Sequence, residues 1–100
     1  MVNPKRNRQR GKEVEKAVAE LFKGERMGLF GGEDVAHEIF SIEVKSRLKF
    51  VGRSWMKQAI RNNKKDRTPI VVIHEKNTDH KNDLVLINVM DFLKIEEILR

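Results

Sequence analysis

Residues 31–47 read GGEDVAHEIFSIEVKSR, and the second half of this stretch alternates between apolar and polar side chains. Successive side chains of a β-strand point to opposite faces, so Phe40, Ile42 and Val44 are expected on one face. The other face then carries Ser41, Glu43, Lys45 and Arg47. This is the pattern of a half-buried strand, and its polar face presents a carboxylate beside an ammonium group.

The residues before this strand predict a hairpin. The glycine pair at residues 31–32 predicts a turn, and Asp34 then opens a second short strand over residues 35–39. A hairpin centred between residues 38 and 39 would set Asp34 opposite Glu43. Directly opposed residues of an antiparallel pair have Cβ atoms about 4.5–5.5 Å apart.

Two carboxylates this close repel each other unless a cation lies between them. Mg²⁺ takes oxygen ligands from carboxylates, backbone carbonyls and water. The stretch therefore predicts a divalent-metal site with Lys45 at its rim. The alternative is that Asp34 only caps a turn while Glu43 and Lys45 form a solvated surface pair.

Length and composition restrict the class of protein. A chain of 100 residues predicts a single domain over residues 11–100, preceded by a flexible basic arm over residues 1–10. It has no cysteine, which excludes disulfides and thiolate zinc sites. With no signal-like or membrane-spanning apolar run and no lipidation motif, we expect a cytoplasmic protein, whether cell- or virus-encoded, and no membrane partner.

The net charge of +6 is unevenly distributed. Five of the 21 basic residues lie in residues 1–12, without an acid, and nine lie in residues 45–67, where Asp66 is the one acid. Such clusters are typical of proteins that bind the phosphate backbone, although a charged helix face can also be plain solvated surface. The residues predicted to contact DNA are Lys5, Arg6, Arg8, Arg10, Lys12, Arg47, Lys49, Arg53, Lys57 and Arg61.

Apolar periodicity predicts the other elements. We expect helices over about residues 11–23, 54–63 and 89–99, the second capped by Ser54, and buried strands over residues 70–73 and 84–87. The apolar stripes are predicted to be Val14, Ala17, Val18, Leu21 and Phe22 on the first helix and Met56, Ala59 and Ile60 on the second. Trp55 is predicted to pack beneath the second helix, and the alternative is that it stacks on a base. His37, His74 and His80 are interpreted as non-catalytic, and the last two as poorly spaced for a metal.

Glu15 borders the apolar stripe of the first helix. An unpaired charge that is half turned inward is costly, so Glu15 needs a partner. That partner is either a basic residue or the same metal that Asp34 and Glu43 would hold.

The order helix, three short strands, helix, two strands, helix, together with these acids, resembles the PD-(D/E)xK nuclease superfamily. Within it the chain is most similar to the small archaeal-type and phage Holliday-junction resolvases, over roughly residues 10–95. The matching motifs are residues 10–15 (RGKEVE), Asp34-Val35, residues 42–46 (IEVKS) and Gln58. Glu33 stands where these proteins usually have proline.

The resemblance implies an α/β fold of the α+β kind with a mixed sheet, a restriction-endonuclease-like αβββαβ core and a closing strand and helix. It implies Mg²⁺ or Mn²⁺ held by Asp34, Glu43, the Val44 carbonyl and Glu15, directly or through water. Lys45 would orient the attacking water, and Gln58 would hold a water or the scissile phosphate. The implied activity is cleavage of branched DNA by a homodimer, in recombination and repair.

Three alternatives remain open at this point. A nonspecific or nicking nuclease of the VRR-NUC branch shares the motifs. A DNA-binding accessory module would use the same acids only structurally. An RNA-binding or ribosome-associated basic protein would have no carboxylate-dependent metal site.

Overall fold

The computed structural model describes residues 4–29 and 32–100, and the side chains of residues 11–29 and 32–100. Gly31 of the predicted glycine turn lies outside the described residues. The elements are α1 (Pro4–Phe22), β1 (Glu25–Arg26), β2 (Val35–Ala36), β3 (Ser41–Ile42), α2 (Gly52–Arg61), β4 (Ile70–Ile73), β5 (Leu84–Ile87) and α3 (Val89–Leu99). The predicted order of helices and strands is confirmed.

The strands form two antiparallel sheets. One sheet has the order β1-β2-β3, and the other pairs β4 with β5. This confirms an α+β class. In the described residues every pairing is antiparallel, so the predicted mixed sheet is not seen there and the restriction-endonuclease-like core stays a prediction.

The chain forms two compact units, Met1–Leu48 and Lys49–Arg100. The prediction of one domain over residues 11–100 stays a prediction. In the described part of the chain, each helix is too short or too polar to cross a membrane.

The first helix is longer than the sequence predicts. It begins at Pro4, so residues 4–10 are helical where a flexible arm was expected. Proline is well tolerated in the first turn of a helix, since its missing N–H has no partner there. The Lys, Arg and Gln residues that follow are good helix formers, which explains the extension.

The inward stripe of α1 is shifted from the one predicted. The half-buried or buried residues are Gly11, Val14, Glu15, Val18, Ala19 and Phe22. Ala17 and Leu21 are exposed, so their assignment to the stripe was wrong. The observed spacing follows the helical period, and it places Glu15 on the inward side as expected.

The β2–β3 hairpin has the predicted centre. Val35 pairs with Ile42 and Ala36 with Ser41, which centres the turn between residues 38 and 39. The predicted alternation is also confirmed: Phe40, Ile42 and Val44 are half-buried, and the polar residues between them are exposed. His37 lies at the turn, where its Nδ1 accepts hydrogen bonds from the N–H groups of Ile39 (3.0 Å) and Phe40 (3.4 Å).

The end of α1 is fixed by a close approach to β2. Lys23 takes the left-handed conformation at φ 57° and ends the helix. The N–H of Gly24 donates to the Ala19 carbonyl at 2.8 Å, as in a Schellman cap. A Cβ on Gly24 would lie 2.4 Å from the Ala36 carbonyl oxygen, which explains the glycine.

The second unit pairs α2 with the β4–β5 sheet. The helix begins at Gly52 and not after Ser54, whose Oγ donates to the Val51 carbonyl at 2.9 Å and does not cap the helix. Met56 is buried and Ala59 half-buried, as predicted. Trp55 and Ile60 are exposed, so their predicted packing was wrong.

The continuous apolar runs of β4 and β5 predicted strands that are buried on both faces. This prediction was wrong. Val72 and its partner Val85 are 56% and 59% exposed. Ile70, on the same face, is also exposed. Helix α3 starts at Val89 as predicted, and the Asn88 side chain caps it by accepting a hydrogen bond from the Met90 N–H.

We predict that Gly24→Ala lowers the free energy of unfolding by about 1–3 kcal/mol, because the new methyl group meets backbone atoms of β2. Gly11→Ala is the matched control, since a Cβ there meets nothing within 4 Å and Gly11 lies inside α1. It should stabilise the protein by about 0.5–1 kcal/mol. Urea unfolding of both variants measures the difference, and equal effects would contradict the close approach.

Candidate metal centre

Asp34 is positioned by a local irregularity of the hairpin. Its N–H donates to the Ile42 carbonyl at 3.0 Å, although Ile42 is already the partner of Val35. Asp34, which directly precedes β2, and Val35 therefore both face Ile42, which is the pairing of a β-bulge. The sequence predicted that Asp34 lies directly opposite Glu43. In the structure Asp34 lies opposite Ile42, one residue earlier.

The bulge turns the Asp34 carboxylate toward the backbone after β3. Its Oδ2 accepts a hydrogen bond of 2.7 Å from the Val44 N–H. Asp34 is half-buried and its charge is partly balanced by this donor. The carboxylate is therefore held beside the Glu43-Val44-Lys45 segment.

Glu43 and Lys45 lie side by side in the segment that directly follows β3. The Lys45 Nζ is 3.3 Å from the Glu43 Oε1, and the side chains are 66% and 56% exposed, respectively. An ion pair this exposed contributes little to stability. This arrangement agrees with the alternative interpretation, in which Glu43 and Lys45 form a solvated surface pair. The same exposure leaves the carboxylate and the amine accessible to a ligand.

Glu15 has a basic partner within the same unit. Its Oε2 accepts a hydrogen bond of 2.8 Å from the Arg26 Nε, and both side chains are mostly buried. Of the two partners that the sequence left open, the structure provides the basic residue. Arg26 was not identified from the sequence, because Glu15 lies on α1 and Arg26 on β1, and no single helical or strand period relates residues of two different elements.

The residues of the hairpin fit a hard divalent cation in part. Asp34 and Glu43 supply carboxylate oxygens and Val44 a backbone carbonyl, which is the donor chemistry that Mg²⁺ prefers. Within residues 11–29 and 32–100, however, Glu15, Asp34 and Glu43 do not bring ligand atoms within 4.8 Å of one another. Only the hairpin residues therefore fit the predicted cation, because the Glu15 carboxylate is paired with Arg26.

Glu33 provides a further carboxylate on the hairpin. Its Oε2 accepts a hydrogen bond of 2.9 Å from the Ser41 Oγ. In the sequence, Glu33 stood out only because the resolvase motif usually has proline at this position. Glu33 therefore extends the acidic surface of the hairpin beyond Asp34 and Glu43.

The predicted DNA-contacting residues fall in both units. The side chains of Lys5, Arg6, Arg8 and Arg10 lie outside the described side chains, although their backbone belongs to α1. The exposed members are Lys12, Arg47, Lys49, Arg53, Lys57 and Arg61. Gln58 is also exposed, on α2 of the second unit, while the β2–β3 hairpin belongs to the first.

Sequence reasoning missed one cluster, in the second unit. His74, His80 and Asp83 are the three residues whose possible ligand atoms all lie within 4.8 Å of one another in the described part of the chain. The spacing of the two histidines along the chain does not reveal this cluster, because the β4–β5 hairpin and its loop bring the three residues together. A histidine at the end of one predicted strand and an acid before the next was the available signal.

We predict that Glu15 and Arg26 are energetically coupled. A double-mutant cycle with Glu15→Gln and Arg26→Met should give a coupling free energy of about 1 kcal/mol in metal-free buffer. Urea unfolding of the four proteins measures it. Repeating the cycle in Mg²⁺ tests the other assignment, since coupling that vanishes there would mean that Glu15 leaves Arg26 for the ion.

We compared the chain with protein-family models, curated proteins and solved structures, and none of them matches it.

Proposed function

We propose that the protein is a metal-dependent, structure-selective DNA endonuclease of the Holliday-junction resolvase type. The observation that carries the proposal is the bulged β2–β3 hairpin, which holds the Asp34 carboxylate at the Val44 N–H with Glu43 and Lys45 on either side of Val44. The resemblance of these motifs to the PD-(D/E)xK nucleases supports the same conclusion.

Hydrolysis of a phosphodiester needs an activated water and compensation for the negative charge that develops on the phosphate. Asp34, Glu43 and the Val44 carbonyl would hold Mg²⁺ or Mn²⁺, which supplies a bound water of lowered pKa and polarises the phosphate. Lys45, already paired with Glu43, orients the water and offsets the developing charge.

The basic residues would grip phosphates without reading bases, as a nuclease that selects branched DNA by shape requires. A four-way junction has two symmetric scissile strands, so a two-fold homodimer fits it. The exposed apolar face of the β4–β5 sheet, with Val72 and Val85, is a surface that a second copy would cover.

A DNA-binding module without activity is the second candidate. The observation that favours it is the Glu15–Arg26 pair, which gives one of the predicted metal ligands a structural role. The first candidate accommodates this pair if the hairpin carboxylates alone bind the ion. A metal-dependent activity would separate the two candidates.

We predict that the protein cleaves a synthetic four-way junction in Mg²⁺, and that Asp34→Asn and Lys45→Ala each reduce the rate by about 100-fold or more. Asparagine keeps an oxygen acceptor for the Val44 N–H, so Asp34→Asn should change the free energy of unfolding by less than about 1 kcal/mol. Single-turnover cleavage on gels gives the rates.

Lys94→Ala is the matched control for Lys45→Ala, because it removes the same charge from an exposed position on α3. It should leave the cleavage rate within about twofold, which is well under 1 kcal/mol. Wild-type protein without divalent-dependent cleavage would support the binding module. Equal cleavage of the junction and of linear duplex with the same sequence would instead support a nonspecific nuclease.

We also predict that the exposed face of α2 binds phosphates. Lys57→Ala and Arg61→Ala should each weaken junction binding and reduce the slope of log K against log salt by about 0.9. Fluorescence anisotropy in Ca²⁺ in place of Mg²⁺ measures binding over a salt series, with Lys94→Ala as the control. Slopes equal to the wild-type value would mean that this face is only solvated.

A further inference from the structure

The connection between β4 and β5 brings together three side chains of metal-binding type. The strand register pairs Ile73 with Leu84, so the next residues outward are His74 and Asp83. The His74 Nδ1 is 2.7 Å from the Asp83 Oδ1. The His80 Nδ1 is 3.1 Å from the other oxygen, Oδ2, of the same carboxylate.

The two imidazole rings are stacked, with centroids 4.1 Å apart and planes inclined by 26°. Stacking brings both Nδ1 atoms to the same carboxylate. The Asp83 side chain is only 15% exposed, whereas that of His80 is 82% exposed. The cluster is therefore closed on the protein side and accessible from solvent.

The loop that carries His80 is ordered by its own hydrogen bonds. The Asp79 side chain caps a single 3₁₀ turn, His80–Asn82, by accepting from the Lys81 N–H. Thr78 closes the preceding turn, since its Oγ1 donates to the Glu75 carbonyl at 2.7 Å. His80 is thus held near Asp83 by local structure, and a ligand would not have to order a free loop.

We propose that His74, His80 and Asp83 form a binding site for a transition-metal ion of the zinc class. Two imidazole nitrogens and one carboxylate oxygen suit Zn²⁺, Co²⁺ or Ni²⁺, whereas Mg²⁺ prefers oxygen ligands. Neighbouring ligand atoms of a tetrahedral zinc site with bonds of about 2.0–2.1 Å are about 3.3 Å apart. The His74 and His80 Nδ1 atoms lie 2.7 and 3.1 Å from the two different oxygens of Asp83, so a small widening of the cluster would admit an ion. Three protein ligands leave a fourth position for water.

Binding requires the histidines to present lone pairs at Nδ1. In the hydrogen bonds to the Asp83 carboxylate the Nδ1–H of each neutral imidazole donates, so on binding that proton would move through solvent to Nε2. Bonds from Nδ1 to the ion would then replace the two hydrogen bonds. The bound ion would link the end of β4 to the loop before β5. This site is separate in sequence and in ligand chemistry from the proposed Mg²⁺ site of the hairpin, and it does not depend on that proposal.

The test uses the full chain without a histidine tag, titrated with zinc chloride in buffer that contains millimolar Mg²⁺. Isothermal titration calorimetry should give one saturable site. The chain has three histidines, so imidazole proton NMR supplies an internal control. The signals of His74 and His80 should shift or broaden with zinc, while those of His37 should not.

Variants assign the ligands. His80→Ala and Asp83→Asn should each weaken zinc affinity by about tenfold or more, whereas His37→Asn and Glu75→Gln should keep the wild-type affinity. His80→Ala changes an exposed side chain, so its circular dichroism should equal that of the wild type. Absence of a saturable site, an equal shift of His37, or wild-type affinity in both ligand variants would overturn the proposal.

Discussion

Burial of Val35 is the constraint on which the first unit depends. Val35 is completely buried, and its side chain lies against Gly24 at the end of α1. A one-residue slip of β2 would move Val35 to the other face and expose it. The helix and the strand therefore fix each other, and the register of the hairpin is fixed with them.

This constraint positions the candidate site, because Asp34 directly precedes Val35. Once Val35 is buried, Asp34 has little freedom, and the bulge opposite Ile42 turns its carboxylate toward Val44. The geometry of the candidate site is thus set by the burial of the neighbouring residue. Bulges commonly re-aim a side chain in this manner beside active sites.

Each unit contains a β-hairpin that brings possible ligand atoms together, but the two hairpins offer different types of atoms. In each, a hairpin brings side chains of non-adjacent residues together: Asp34 near residues 43–45 in the first unit, and His74 near Asp83 in the second. The first offers mainly oxygen atoms and the second two imidazoles. A hard cation such as Mg²⁺ would therefore prefer the oxygen atoms of the first hairpin, and a transition metal such as Zn²⁺ would prefer the imidazoles of the second. The two ions would not compete for one site.

The sequence by itself determined the order of the elements, the alternation of the strand after Phe40, the centre of its hairpin and the half-buried position of Glu15. These features follow from periods of 2 and 3.6 residues and from short turns, which are local properties of the chain. Tertiary structure decided that Glu15 pairs with Arg26, and that His80 folds back onto Asp83. It also left Trp55 and Ile60 exposed. Such outcomes depend on which elements pack against each other and on competition between possible partners, and no local period carries that information.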